Sequence, residues 1–139
     1  MKLKLLNAAT ATNSPPSGAT AGFPMRQGMD GQLVGSGFRD DTDEFMFIVR
    51  STAGSGTMTV TLRLWGYQGD AGVWVPLGTG TDALKGTLNE QAALGETEAN
   101  TIGHAELVMG LRHFDRVYLE VSAIGGTATA ISAWLIARS

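Results

Sequence analysis

Cysteine is absent from this 139-residue chain, which excludes disulfide bonds, thiolate metal sites and thiol enzymes. Charge is also scarce, because Asp, Glu, Lys and Arg together make up 17% of the residues. A surface with few charges is typical of a protein that partners partly cover. The net charge of −3 and the lack of a basic run argue against binding to phosphate backbones. We therefore expect a protein that does not bind nucleic acid.

Long apolar runs are missing as well. The apolar stretch at the N-terminus is interrupted by Asn7 and then by Thr10 and Thr12, which is too early for the core of a signal peptide. No window approaches the length of a transmembrane helix. We expect a soluble protein with no export signal and no membrane partner.

Residues 8–32 are small, polar or glycine-rich, and Pro15, Pro16 and Pro24 interrupt any regular pattern. Consecutive prolines favour an extended backbone and remove hydrogen-bond donors. Ordering each residue costs about 1–2 kcal/mol, so a segment this poor in apolar residues needs contacts with its own domain or with a neighbour. We predict an extended N-terminal arm over residues 1–33 and one β-sandwich domain over residues 34–139.

Alternation with a period of two residues begins at Phe45 and predicts β-strands. Residues 57–65 give the clearest pattern, because every second side chain from Met58 to Leu64 is apolar and the intervening ones are mostly threonine. Short strands with glycine turns between them are typical of an antiparallel β-sandwich or barrel. The sequence therefore predicts an all-β fold. Further strands are predicted at 45–50, 73–75, 103–113, 117–122 and 127–136.

Two hairpins and two tryptophan positions follow from the same alternation. Residues 68–72 predict a turn before the 73–75 strand, and Gly125-Gly126 predicts a second turn because glycine accepts a positive φ. Trp65 falls on the face opposite the Met58–Leu64 stripe. It can serve as a sugar-stacking platform, an anchor for a protein contact or part of a second core face. Trp134, on the last strand, is predicted to lie in the core.

Residues that could carry chemistry do not form a recognisable set. His104-Ala105-Glu106 matches the start of a zinc-deaminase signature, but that chemistry needs downstream thiolates. His104, His113 and Asp115 match no standard metal-ligand spacing. Asp40–Glu44 is an acidic run without the loop of a calcium site. We interpret it as a solvated loop or a salt-bridge partner and leave a weak calcium site open. We expect no catalytic residue, metal or cofactor, and hence not an enzyme.

The order of features is informative beyond any single motif. A proline-containing segment precedes a strand at Glu44–Arg50, then a threonine-rich strand that ends at Leu64–Tyr67, and then Trp74 with Pro76. The chain closes with Phe114–Val121, Ile124–Thr127 and Ala133–Ile136. In layout and size, residues 44–137 resemble the small cement, or head-decoration, proteins of tailed bacteriophages.

The resemblance implies a jelly-roll β-sandwich on the outer surface of a capsid, made in the host cytoplasm. Proteins of this family bridge neighbouring copies of a major capsid protein with the HK97-type fold and stabilise the shell. We therefore expect a structural virion protein that is also a homo-oligomer, with a dimer favoured over a trimer. The family has no catalytic residues to transfer.

The N-terminal arm is the expected contact region. Its deletion, over residues 1–30, is expected to leave a folded domain that no longer occupies capsids. Two alternatives remain open, namely another virion part (a neck, tail or fibre-base protein) and a carbohydrate-binding β-sandwich module. The candidate partner contacts are Pro15, Pro16, Phe23, Pro24, Met25, Arg26 and Trp65.

Overall fold

The computed structural model describes residues 2–26, 44–52, 58–77, 87–89, 101–109, 111–126 and 129–137. It confirms the predicted all-β sandwich, because these residues form two antiparallel sheets. A short 3₁₀ turn, Leu111–His113, precedes the eighth strand. The strands are β1 Lys2–Ala9, β2 Phe23–Pro24, β3 Glu44–Thr52, β4 Met58–Gln68, β5 Val73–Pro76, β6 Thr87–Asn89, β7 Thr101–Met109, β8 Arg116–Gly126 and β9 Thr129–Ile136.

The first sheet has the strand order β1-β9-β3-β7, and the second has the order β2-β8-β4-β5, with β6 also paired to β4. Strands that follow one another in the sequence mostly lie in opposite sheets, so the chain crosses repeatedly between the layers. The predicted hairpin across residues 68–72 is confirmed, because β4 and β5 pair directly.

The core lies between the two sheets and follows the predicted alternation. On β4 the inward side chains are Val60, Leu62 and Leu64, none of which is more than 5% exposed. The same pattern places one face of β3 and one face of β8 in the core, which buries apolar surface from both layers. The inward apolar side chains on β3 and β8 are Phe45, Phe47, Val49, Val117, Leu119 and Val121.

Trp134 is not a core residue, contrary to the sequence prediction. On β9 the buried side chains are Ile131, Ala133 and Leu135, so Trp134 lies on the outer face of the first sheet and is half-buried. Lys4 pairs with Trp134 across the β1–β9 ladder, and its Nζ atom lies 5.4 Å from the centre of the indole ring. Ile48 on β3 pairs with Trp134 from the other side, so the residue has a cross-strand neighbour on each side.

The predicted Gly125-Gly126 hairpin is also wrong. β8 continues through both glycines, and β8 and β9 belong to different sheets, so the chain passes from one layer to the other instead of folding back. Residues 127–128 lie outside the described part. The strand expected within residues 103–113 is present as β7, which ends at Met109.

The described residues of the N-terminal segment pair with the sandwich, and the structure does not confirm an arm separate from it. β1 forms an edge of the first sheet, and β2 forms an edge of the second. Leu3, Leu5 and Met25 are buried in the core. The predicted boundary near residue 33 lies outside the described residues. Deletion of residues 1–30 would remove an edge strand from each sheet, so we no longer expect that truncated chain to fold as a domain.

Candidate functional site

The outer face of the second sheet carries a cluster of aromatic side chains. The β4–β8 register places Trp65 opposite Tyr118 and Tyr67 opposite Arg116, while the β4–β5 register places Trp74 opposite Tyr67. The Tyr67 and Trp74 ring centres are 5.1 Å apart, and those of Trp74 and Tyr118 are 6.2 Å apart in an edge-on arrangement. We call Trp65, Tyr67, Trp74 and Tyr118 the aromatic face.

A loop of the N-terminal segment crosses this face. At one end, Asn13 pairs with β8, since its main-chain N donates to the Val121 oxygen (3.0 Å) and its Oδ1 accepts from the Val121 nitrogen (2.6 Å). At the other end, Phe23 pairs with Val117. Both ends of the loop therefore lie on the edge of β8. We call the intervening residues, 14–22, the strap.

Arg116, on the outer face of β8, binds the main-chain oxygens of the last part of the strap. Its Nε donates to the Ala21 oxygen at 2.8 Å, and its Nη2 donates to the oxygens of Thr20 (3.0 Å) and Gly22 (3.1 Å). The residue is 7% exposed, and this burial lowers the pKa of the guanidinium from its ordinary value. Because a buried cation needs partners for its donors, these carbonyl groups and Arg116 stabilise one another.

Two members of the aromatic face hold the rest of the strap. The Tyr118 hydroxyl donates to the Ser14 oxygen at 2.7 Å, and the Trp74 Nε1 donates to the Gly18 oxygen at 2.8 Å. Burial, and to a lesser degree the negative charge of Glu120, raise the pKa of Tyr118. The neutral hydroxyl that makes the hydrogen bond is therefore the favoured form.

Trp65 is oriented by its neighbours on the same face. Its Nε1 donates to Glu120 Oε1 at 2.9 Å, and Glu120 is itself 7% exposed. The guanidinium carbon of Arg63 lies 6.0 Å from the centre of the Trp65 ring, within the range of a cation–π contact. The indole N–H groups of Trp65 and Trp74 and the Tyr118 hydroxyl are thus all engaged inside the protein.

The structure brings some of the predicted partner contacts together. Pro15 and Pro16 lie on the strap, exposed and half-buried respectively. They directly follow Ser14, which Tyr118 binds, and Tyr118 is the register partner of Trp65. These three predicted contacts therefore share one side of the second sheet.

The other predicted contacts lie at the end of the strap. Phe23 is 37% exposed on β2, whereas Met25 is 2% exposed and belongs to the core, so Met25 has no surface to offer a partner. Pro24 is half-buried beside them. Arg26 forms an ion pair with Asp115 at 3.5 Å, which ties the end of the segment to the chain just before β8.

The described residues contain no group of three His, Asp or Glu side chains that could hold a metal ion. His113 is exposed. Asp115 accepts hydrogen bonds from the Gly69 nitrogen (2.7 Å) and from Arg26. The acidic run at residues 40–43 and the side chain of His104 lie outside the described part. A helix suited to crossing a membrane is likewise not found where the chain is described.

Sequence reasoning missed Arg116, Tyr67, Trp74 and Tyr118 as members of one site. The alternation contains the required signal, because Tyr118 and Arg116 lie on the face opposite the inward residues of β8. The partners on the strap could not be read in this way, since they act through main-chain oxygens that carry no residue signature.

Comparisons with known proteins identify no relative. No protein-family model, no curated protein and no solved structure matches this chain.

Proposed function

We propose that this protein is a structural virion protein that binds the outside of a phage capsid and bridges neighbouring major capsid subunits. The strand order supports this proposal. In the orders β1-β9-β3-β7 and β2-β8-β4-β5, most sequence neighbours lie in opposite sheets, the exceptions being β4, β5 and β6. Such crossing fits the jelly roll that the sequence resemblance implies, a fold that also builds viral capsid domains.

The physical basis of such a role is repeated burial of surface and not chemistry. The low charge content of the chain suits a surface that becomes covered. Among the described strands, β1 and β7 lie at the two ends of the first sheet, and a strand at a sheet end can accept a neighbour's strand. In a homo-oligomer, which we favour as a dimer, several weak contacts combine because linked sites rebind at high effective concentration.

The test is binding to capsids assembled from the major capsid protein encoded in the same genome. We expect the purified protein to sediment with these particles, to saturate at a fixed ratio, and to raise the temperature at which they rupture. Failure to co-sediment would contradict the proposal. Image reconstruction of virions shows where the protein lies on the particle. Density for it at the neck or tail would favour the alternative virion roles.

A carbohydrate-binding module is the second candidate, because the aromatic face groups several rings on one side of a sheet, as sugar stacking requires. The polar atoms of the aromatic face make it less suitable as a sugar-binding site. The Trp74 and Trp65 N–H groups and the Tyr118 hydroxyl already bind within the protein. A sugar site needs such groups to fix the ligand's orientation. A glycan array combined with tryptophan-fluorescence titration separates the two functions, since the virion role predicts no glycan-specific signal.

A further inference from the structure

We propose that two copies of this chain form a dimer through β7, with the two β7 strands antiparallel and Ala105 at the centre of the contact. The two first sheets, each with four strands, would then join into one continuous sheet. This inference rests on the proposed function, within which a homo-oligomer is expected, and it names the surface and the register of the contact. Three observations support it: the regularity of β7, the poorer suitability of the other sheet ends, and the self-complementary order of residues along β7.

β7 is a long and regular strand at an end of its sheet. Its nine residues pair with β3 without a register shift, from Thr101 opposite Thr52 to Met109 opposite Glu44. Among the described strands, β3 is its only partner. A strand that is paired on one side leaves about half of its main-chain N–H and C=O groups directed to the other side. β7 also contains neither proline nor lysine, the residues that commonly block such pairing.

The other strands at the sheet ends are less suited to accept a partner. The register of β1 with β9 shifts twice, Ala8 within β1 has a φ of 53°, and Lys2 and Lys4 are exposed. Irregularities and lysines of this kind discourage pairing at an edge. In the second sheet, β2 has two residues, β6 has three, and β5 has four and ends at Pro76, which has no N–H to donate. The described part of the chain therefore offers one long regular edge, that of β7.

Symmetry limits how two β7 strands can meet. In a two-fold contact identical surfaces face one another, and in an antiparallel pair directly opposed residues lie on the same face of the sheet. Both conditions hold when the two-fold axis, normal to the sheet, passes beside one residue, which is then opposed to its own copy. With the axis at Ala105, Thr101 of one copy lies opposite Met109 of the other, and every residue of the strand is paired. An axis at any other residue leaves one end of each strand unpaired.

The residue types along β7 match one another in this register. His104 of each copy lies opposite Glu106 of the other, and Ile102 lies opposite Val108, two β-branched residues that favour strands. A histidine can donate a hydrogen bond to a carboxylate, and it adds the opposite charge when it is protonated. An axis at Glu106 would instead place two carboxylates directly opposite each other, which is destabilising. The order of charges therefore favours the register that pairs the whole strand, and it favours a second copy as the occupant of this edge.

Single cysteines test the register, because the chain has none of its own. Directly opposed Cα atoms in an antiparallel pair are about 4.5–5.5 Å apart, which is within the span of a disulfide. Ala105→Cys should therefore give a disulfide-linked dimer on mild oxidation. Thr101→Cys is the matched control on the same strand, since its two copies would lie about 27 Å apart and should not link. A mixture of Thr101→Cys and Met109→Cys should link as a heterodimer.

Charge substitutions test the pairing of His104 with Glu106, with the dissociation constant of the dimer measured by analytical ultracentrifugation. His104→Glu opposes two carboxylates at two places in the dimer and should weaken it on the order of tenfold or more. The double variant His104→Glu/Glu106→His restores the pairing in the same register and should recover most of the wild-type affinity. Unfolding midpoints show which variants are folded, and the Ala105→Cys experiment decides the question if the charge variants are not.

Two results would overturn this inference directly: a wild-type chain that stays monomeric at all concentrations, and a dimer in which Ala105→Cys does not link. Protection of β7 from hydrogen exchange only on capsids would overturn it as well, because the edge would then accept a capsid segment. Co-sedimentation of the wild type with capsids is measured separately. A monomer that binds capsids would leave the proposed capsid role standing, whereas a β7 dimer that does not bind them would contradict that role alone.

Discussion

Gly22 and Gly72 offer a matched pair of substitutions that tests how the strap is attached. Both glycines have a φ of +68°, in the left-handed region that side chains rarely adopt. Gly72 lies in the β4–β5 turn, where an added Cβ would meet nothing within 4 Å. At Gly22, at the end of the strap, an added Cβ would overlap the main-chain oxygen of Val117 and lie 3.1 Å from the Tyr118 Cβ.

The magnitudes follow from these surroundings. An alanine in the left-handed region costs about 1–2 kcal/mol, offset by about 0.4–1 kcal/mol because alanine restricts the unfolded chain. Gly72→Ala should therefore lower the free energy of unfolding by about 0–1.6 kcal/mol. Gly22→Ala carries the same cost and in addition moves the strap away from β8. Loss of the β2–β8 pairing and weaker Arg116 bonds, at about 1 kcal/mol per hydrogen bond, bring its total to about 3 kcal/mol.

Urea unfolding, followed by circular dichroism and tryptophan fluorescence, measures both variants. We expect the midpoint for Gly22→Ala to fall well below that for Gly72→Ala, with similar slopes. Hydrogen exchange should then quicken at Asn13 and Phe23 in the Gly22 variant alone. Equal destabilisation of the two variants would refute the close approach of the strap to β8.

Further predictions concern the bonds from Arg116 to the strap, the first strand and the pH dependence of stability. Arg116→Met should lower the free energy of unfolding by about 2–4 kcal/mol, whereas Arg63→Met, at an exposed position on the same face, should lower it by about 1 kcal/mol or less. Equal losses in calorimetry would contradict the role of Arg116 in holding the strap. Leu5→Ala should lower the free energy of unfolding by about 2–4 kcal/mol because the Leu5 side chain is buried in the core. Leu6→Ala, at a half-buried position, should lower it by less. A Leu5→Ala variant as stable as the wild type would show that β1 is dispensable. The pKa of Tyr118 is raised above its ordinary value of 10.0, so its contribution is complete below that pH and is lost as pH rises through the higher folded-state pKa. Urea midpoints above pH 10 should therefore fall less steeply in Tyr118→Phe than in the wild type, and identical slopes would count against this assignment.

The strands with the strongest alternation were predictable from the sequence. On β4 the apolar residues Val60, Leu62 and Leu64 alternate with polar ones, so the inward face was unambiguous. The same holds for Val117 and Val121 on β8. In these segments the local pattern and the observed burial agree, because only one face of each strand carries mostly apolar side chains and that face must be the buried one.

Alternation failed where both faces of a strand are apolar. On β9, Ile131 and Leu135 compete with Trp134 and Ile136, so the alternation does not decide which face is buried. The structure instead buries the smaller side chains, while Lys4 on the neighbouring strand contacts the Trp134 ring. That neighbour is more than a hundred positions away in the sequence, so no local pattern contains the information.

The contacts of the N-terminal segment are not predictable from the sequence for a related reason. Proline, glycine and small polar residues carry no periodic signal over residues 10–22, and their order depends on Arg116, Trp74 and Tyr118, far along the chain. One local signal was nevertheless present. Lys2 to Leu5 alternates charged and apolar residues, which is the pattern of an edge strand with one buried face.

Image reconstruction of virions tests the central claim most directly. The account predicts density for a β-sandwich of this size on the outer surface of the capsid, where it bridges neighbouring major capsid subunits. Virions that contain the protein but show no such density on the capsid surface would contradict the claim that it works by covering and linking capsid subunits.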